Sequence, residues 1–179
     1  MLEIQDCCLT VVDVQGKLAQ LMIDKDTLFH NIRILIQAAK ILEIPILWCQ
    51  QVPAALGPTV PEIAELLTGS EPIDKASFSC CGQEQFNAEL NALGKEQVLL
   101  CGIETHVCIY QTAMDLMEGG LDVTILADAV SSRTEQNKQI ALNRLAAEGV
   151  HISSTEMALF ELLKTAKHPQ FREIARLVK

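Results

Sequence analysis

Short, nearly uninterrupted apolar runs alternate along this chain with longer stretches of helical periodicity, and no other feature limits the fold as much. Cys7 to Val12 (Cys-Cys-Leu-Thr-Val-Val) reads as a buried strand that ends at Asp13. Ile44 to Cys49, Gln97 to Cys101, Val123 to Ala127 and Val150 to Ser153 read the same way, with Pro45 near a strand start where a missing N–H is tolerable. Strands this apolar must be covered on both faces. That is the condition of a parallel sheet with helices packed on each side, so the sequence predicts one three-layer α/β/α domain over residues 1–179.

The helical stretches fit that frame. Leu28, Ile32, Leu35, Ile36 and Ala39 share one face of a helix over Leu28 to Leu42. Further helices are expected over Gln83 to Leu93 and over His106 to Glu118, the latter closed by Gly119-Gly120. Thr134 is expected to cap a helix that stops before Gly149. Thr155 is expected to cap the helix carrying Leu159, Leu162 and Leu163. The tail from Pro169 is amphipathic, with Phe171, Ile174, Ala175 and Val178 on one face, able to pack in cis or across an interface. Gln50 to Gln83 stands apart: it is polar, carries Pro53, Pro58, Pro61 and Pro72, and predicts at most one short helix near Glu62 to Leu67. Connections that long usually have a function.

Charge narrows the choice of partner. Fourteen Lys and Arg against 23 Asp and Glu leave a net −9, which repels phosphate backbones and anionic membranes. No nucleic-acid or membrane partner is expected, and no apolar stretch reaches spanning length without a charge. Seven cysteines in a core-forming chain read as free thiols of a reducing compartment, the cytosol by default, and no secretory leader is visible before Glu3 and Asp6.

In an open parallel sheet, ligands bind beyond the carboxyl ends of the strands. That edge holds Asp13, the segment Gly102 to Cys108 and the segment Asp128 to Arg133, with the loop carrying Lys75 able to reach it. Cys108 begins a helix, where the macrodipole favours thiolate and unpaired backbone N–H groups can hold an oxyanion. Cys108 read as a small buried hydrophobe, Asp13 satisfying loop N–H groups and Lys75 as a solvated loop lysine are the plainer alternatives. Their joint placement at one sheet edge outweighs each reading taken alone.

Val-Val-Asp13-Val-Gln, Asp-Lys75-Ala-Ser-Phe and Gly102-Ile103-Glu104-Thr105-His106-Val107-Cys108 resemble the isochorismatase-like cysteine hydrolases, nearest to the isochorismatase-domain-containing branch. Ala127 to Arg133, the Ser153-Ser154-Thr155-Glu156 turn and Lys167 to Phe171 extend the resemblance over almost the whole chain. It implies a six-stranded parallel sheet and a triad of Asp13, Lys75 and Cys108. It also implies a cis peptide between Ile103 and Glu104, with the Glu104 and Cys108 N–H groups forming the oxyanion hole. Gln15, Trp48, Phe78 and Tyr110 are candidate substrate contacts.

Departures from the family restrict the substrate. Nicotinamidases of the family bind a metal through an aspartate and histidines after the second strand, where this chain has Trp48-Cys49-Gln50-Gln51-Val52-Pro53. His30, His106, His151 and His168 lack ligand spacing, so neither a metal nor another cofactor is expected. His106 points around its helix from Cys108 and reads as structural or substrate-contacting. Arg133 reads as a holder of a substrate carboxylate or a neighbouring subunit, or as a salt bridge at a helix start. Cys80-Cys81 reads as a chance pair in a loop, since adjacent cysteines strain a disulfide. The leading expectation is a metal-free cysteine hydrolase of a small amide-like substrate, assembled as a dimer or larger homo-oligomer. A non-catalytic scaffold and a thiol redox protein are its rivals.

Overall fold

The computed structural model describes residues 1–179. Its centre is a six-stranded sheet in the order β3-β2-β1-β4-β5-β6, parallel throughout. The strands are β1 (Cys7–Val12), β2 (Ile46–Gln51), β3 (Ile73–Lys75), β4 (Gln97–Ile103), β5 (Asp122–Ser131) and β6 (His151–Ser153). The helices are α1 (Gly16–Gln20), α2 (Lys25–Ile41), α3 (Pro53–Leu56), α4 (Pro61–Ala64), α5 (Glu84–Leu93), α6 (Tyr110–Glu118), α7 (Glu135–Ala147), α8 (Thr155–Leu163) and α9 (Phe171–Leu177).

The period of two along a strand sends alternate side chains to opposite layers. Leu9 and Val11 of β1 join Trp48, Leu99, Cys101 and Ile103 under α2, α8 and α9. Cys8 and Val12 join Leu47, Cys49, Leu100 and Ile125 under α5, α6 and α7. Each face therefore has its own apolar layer, which explains why the central strands show no polar side.

Several sequence expectations shift here. The stretch from Gln50 to Gln83 is more ordered than its prolines suggest. It holds two single-turn helices, α3 and α4, and the edge strand β3, whose Ile73 is buried while Asp74 is exposed. Three residues give too little alternation to read as a strand, so Lys75 ends a strand instead of lying in a loop. The helix expected from His106 opens instead with a wide π-helical turn, Thr105–Ile109, in which the Val107 and Ile109 N–H groups both donate to the Glu104 carbonyl at 3.1 and 3.2 Å. Ser154, not Thr155, caps α8: its hydroxyl accepts from the Met157 N–H at 3.2 Å, while Thr155 donates twice to Asp128 Oδ1. Thr134 caps α7 as expected, accepting from the Asn137 N–H. The tail packs in cis, with Ile174 fully buried in the layer that contains α2.

The chain runs outward from β1 through β2 to β3, then returns to lay β4 on the other side of β1. The sheet thus reverses direction between β1 and β4, and the ends of these strands frame the crevice of a topological switch point. Gly102, paired with Val12 across that switch, is tight. Its φ is +120°, and a Cβ there would lie 2.1 Å from the Val12 carbonyl oxygen. We expect Gly102→Ala to cost about 3 kcal/mol or more, because the clash is with backbone that cannot rotate away. Urea unfolding with an unchanged midpoint would contradict that close approach.

Candidate active site

Asp13, Lys75 and Cys108 come together at the carboxyl edge of the sheet. Asp13 follows β1 in a left-handed conformation (φ 53°), which Asp tolerates better than most residues. Lys75 ends β3, two strands away, a separation of about 10 Å across the sheet. Only a long side chain spans that distance. Its Nζ donates to Asp13 Oδ2 at 2.7 Å, and the two side chains are 0 % and 2 % exposed.

Lys75 makes three more contacts: Gln51 Oε1 at 2.6 Å, the Phe78 carbonyl at 3.0 Å and the Ser77 carbonyl at 3.2 Å. Gln51 ends β2 between the other two strands, in register with Lys75. Its Nε2 donates to the Ala76 carbonyl at 2.7 Å, which turns its oxygen toward the ammonium. Gln51 is not among the site residues expected from the sequence, where it figures only in a stretch that lacks metal ligands. The rule that selected Asp13, a polar residue ending an apolar strand, applies to it equally.

A recess of about 100 Å³ opens onto this corner. Asp13, Gln51, Glu104 and Cys108 supply its polar floor, and Leu18, Leu56, Phe78, Ile103 and Val107 its walls. The Ile103–Glu104 peptide is cis. The Glu104 N–H donates to no group in the chain, and Asp13 Oδ1 is likewise buried without a partner. The Glu104 carboxylate turns the other way, accepting from the Arg133 backbone N–H at 3.2 Å and from Arg133 Nε at 3.1 Å. A larger hollow of about 350 Å³, around Asp24, Asp128 and Lys138, touches none of these groups.

Electrostatics at this corner differ from the expectation of a resting thiolate. Burial, followed by the Asp13 charge, pushes the Cys108 thiol up to about 12 against the pull of Lys75. Cys108 is therefore a neutral thiol near pH 7. Burial likewise raises the Asp13 carboxyl above its ordinary value, with Lys75 offsetting only part of the rise. For Lys75, burial acts downward, but the influences led by the Asp13 charge outweigh it and hold the ammonium above its ordinary value. The proton of Cys108 thus lies beside a carboxylate that binds protons more readily than usual.

Of the four candidate substrate contacts only Phe78 lines the recess. Trp48 faces the opposite layer, its Nε1 donating to Ser70 Oγ at 3.1 Å, because the strand alternation puts it out of phase with Cys49. Gln15 is consumed in bracing the loops: its amide donates to the Gly57 and Gln51 carbonyls and its oxygen accepts from the Gln51 N–H. Tyr110 stacks under the Arg144 guanidinium, 4.9 Å from ring centre, on the far side of the turn. His106 bonds Ser132 Oγ at 2.9 Å and lies outside the recess, as does Arg133. Cys80 and Cys81 are free thiols, the first fully buried and the second half-buried.

Comparison with known proteins places this geometry in a family. The isochorismatase domain model matches residues 7–157. Isochorismatase domain-containing protein 2 of Danio rerio is 42% identical over 171 residues, covering 95% of this chain and 85% of the relative. The secreted isochorismatase effector Isc1 of Phytophthora sojae (strain P6497) is 39% identical over 175 residues, 96% of this chain and 83% of that one. The structure of MAR1 ribonuclease from Caenorhabditis elegans superposes with a TM-score of 0.93 at 35% identity, over 99% of this chain and 91% of its own. The chain belongs to the isochorismatase family.

Proposed function

We propose that this protein is a metal-free cysteine hydrolase that cleaves a small amide-like C–N bond, with Cys108 as nucleophile, Asp13 as proton carrier and Lys75 as the cation that holds Asp13 ionised. The observation that carries this reading is the buried 2.7 Å Lys75–Asp13 pair beneath a recess that reaches Cys108. A lysine and an aspartate this deeply buried are costly to desolvate and add little net stability by themselves. They make sense where a proton must move.

The arrangement supports acyl transfer in two stages. As Sγ of Cys108 attacks the carbonyl carbon, Asp13 takes the thiol proton, so no free thiolate has to accumulate. The developing oxyanion is met by the unpaired Glu104 N–H and by that of Cys108. Asp13 returns its proton to the leaving nitrogen as the C–N bond breaks, leaving a thioester. Water then attacks the thioester while Asp13 takes its proton. The released sulfur recovers that proton, and an acid and an amine leave.

All seven cysteines are unpaired, which supports a reducing compartment such as the cytosol, although the Phytophthora relative is called secreted. Exposed Ile152, Met157 and Phe160 around the edge strand β6 support the homo-oligomer expected from the sequence. The worm relative's name raises RNA cleavage for this chain. A net charge of −9 and a recess lined by no lysine or arginine weigh against a phosphodiester substrate.

Three measurements test the reading. In a screen of small amides, wild type should release ammonia or amine and Cys108→Ala should not, with unchanged circular dichroism; equal turnover by the two would remove Cys108 from the chemistry, and Cys108-dependent RNA cleavage would replace the amide reading. Because Asp13 must be ionised to accept the thiol proton and its carboxyl is raised, kcat/KM should fall on acidification with a midpoint above the ordinary carboxylate value of about 4. An acid limb at or below that value would exclude Asp13 as the base. Finally, Lys75→Met should lower folding stability by about 3–5 kcal/mol, since it leaves the Asp13 charge buried alone; urea denaturation reads the loss.

A further inference from the structure

We propose that the recess selects an uncharged carboxamide with a short apolar acyl group and rejects substrates that carry a negative charge. This rests on the cysteine-hydrolase reading above and narrows its substrate.

Neither cation near the recess is free to receive a ligand. An ammonium has three N–H donors, and Lys75 already faces four acceptor oxygens at 2.6–3.2 Å with a side chain wholly shielded from solvent. It has no donor left for a ligand. Arg133 is bound to Glu104 and lies outside the recess. A substrate carboxylate entering here would lose its water and find Leu18, Leu56, Phe78 and Val107 around it, with no cation to receive it. The net charge of −9 adds long-range repulsion.

The unpaired groups say what does fit. The floor offers Asp13 Oδ1 as an acceptor, on a carboxylate that also faces the Cys108 thiol, and the unpaired Glu104 N–H as a donor. A carboxamide presents the complement of both, an N–H and a C=O on one carbon. A carboxylate presents only acceptors and would set an oxygen against Asp13, so the acid product is expelled by the same feature that admits the amide. The volume of about 100 Å³ leaves room beyond the amide for only a handful of non-hydrogen atoms.

Iodoacetamide and iodoacetate match in size and differ in charge, which makes them direct probes. Rates of alkylation at Cys108, read by peptide mass on the full chain, are compared as an amide-to-acid ratio with the same ratio for 2-mercaptoethanol. We expect the Cys108 ratio to exceed the reference at least tenfold, and Phe78→Arg, which sets a cation on the rim at a 55 % exposed position, to bring it down severalfold. A Cys108 ratio equal to or below the reference, or one that Phe78→Arg leaves unchanged, overturns the proposed selectivity while the nucleophile stands. No alkylation of Cys108 by either reagent overturns the hydrolase reading and this proposal with it.

Discussion

The ion pair between Lys75 and Asp13 is the constraint on which the rest of the structure turns. An ammonium with 0 % side-chain exposure is tolerated only when its hydrogen-bonding capacity is met. Lys75 meets this condition with contributions from three neighbouring elements: the end of β1 through Asp13, the end of β2 through Gln51, and its own following loop through the Ser77 and Phe78 carbonyls. The order β3-β2-β1 is what makes the reach possible. A strand more or fewer between Lys75 and Asp13 would leave the side chain short or folded back on itself.

The other half of the corner comes from β4. Close approach at Gly102 lets β4 lie against Val12, and the register of β4 on β5 shifts between Leu100 and Gly102. Just beyond, the cis Ile103–Glu104 peptide and the wide turn of Thr105–Ile109 carry the chain around the recess, with the Glu104 carboxylate fastened to Arg133 and its N–H left unpaired. Asp13 and Glu104 face each other across the point where the sheet reverses. The site occupies the crevice that the topology leaves open, and the short helices α1 and α3 supply Leu18 and Leu56 as walls.

Electrostatics here work by balance rather than by a strong field on sulfur. Burial and Asp13 keep the Cys108 proton on, and Lys75 only partly opposes them. A helix start and a nearby ammonium favour thiolate, but desolvation, the largest influence at a residue this enclosed, outweighs the pull of Lys75. The same balance leaves Lys75 without a donor for substrate. Its N–H donors are all taken by Asp13, Gln51 and the Ser77 and Phe78 carbonyls.

The sequence by itself determined the architecture and much of the corner. Apolar strands such as Cys7 to Val12 require cover on both faces whatever their neighbours, and a polar residue directly after such a strand must lie at the sheet edge, which singles out Asp13. The run from Gly102 to Cys108 is long enough to carry a family resemblance. What tertiary structure alone decided are matters of phase and reach between distant segments. Trp48 is aromatic and close in sequence to Gln51, yet one step of strand alternation sends it to the other layer. Tyr110 lies two residues beyond Cys108, a spacing that turns it to the other side of the helix start, and there it meets Arg144 from α7. Lys75 becomes the partner of Asp13 only because a three-residue strand, too short to show a period, docks beside β2. Local pattern fixes what each segment becomes. Which side chains meet depends on register and reach, and those are set by packing between segments that the sequence keeps far apart.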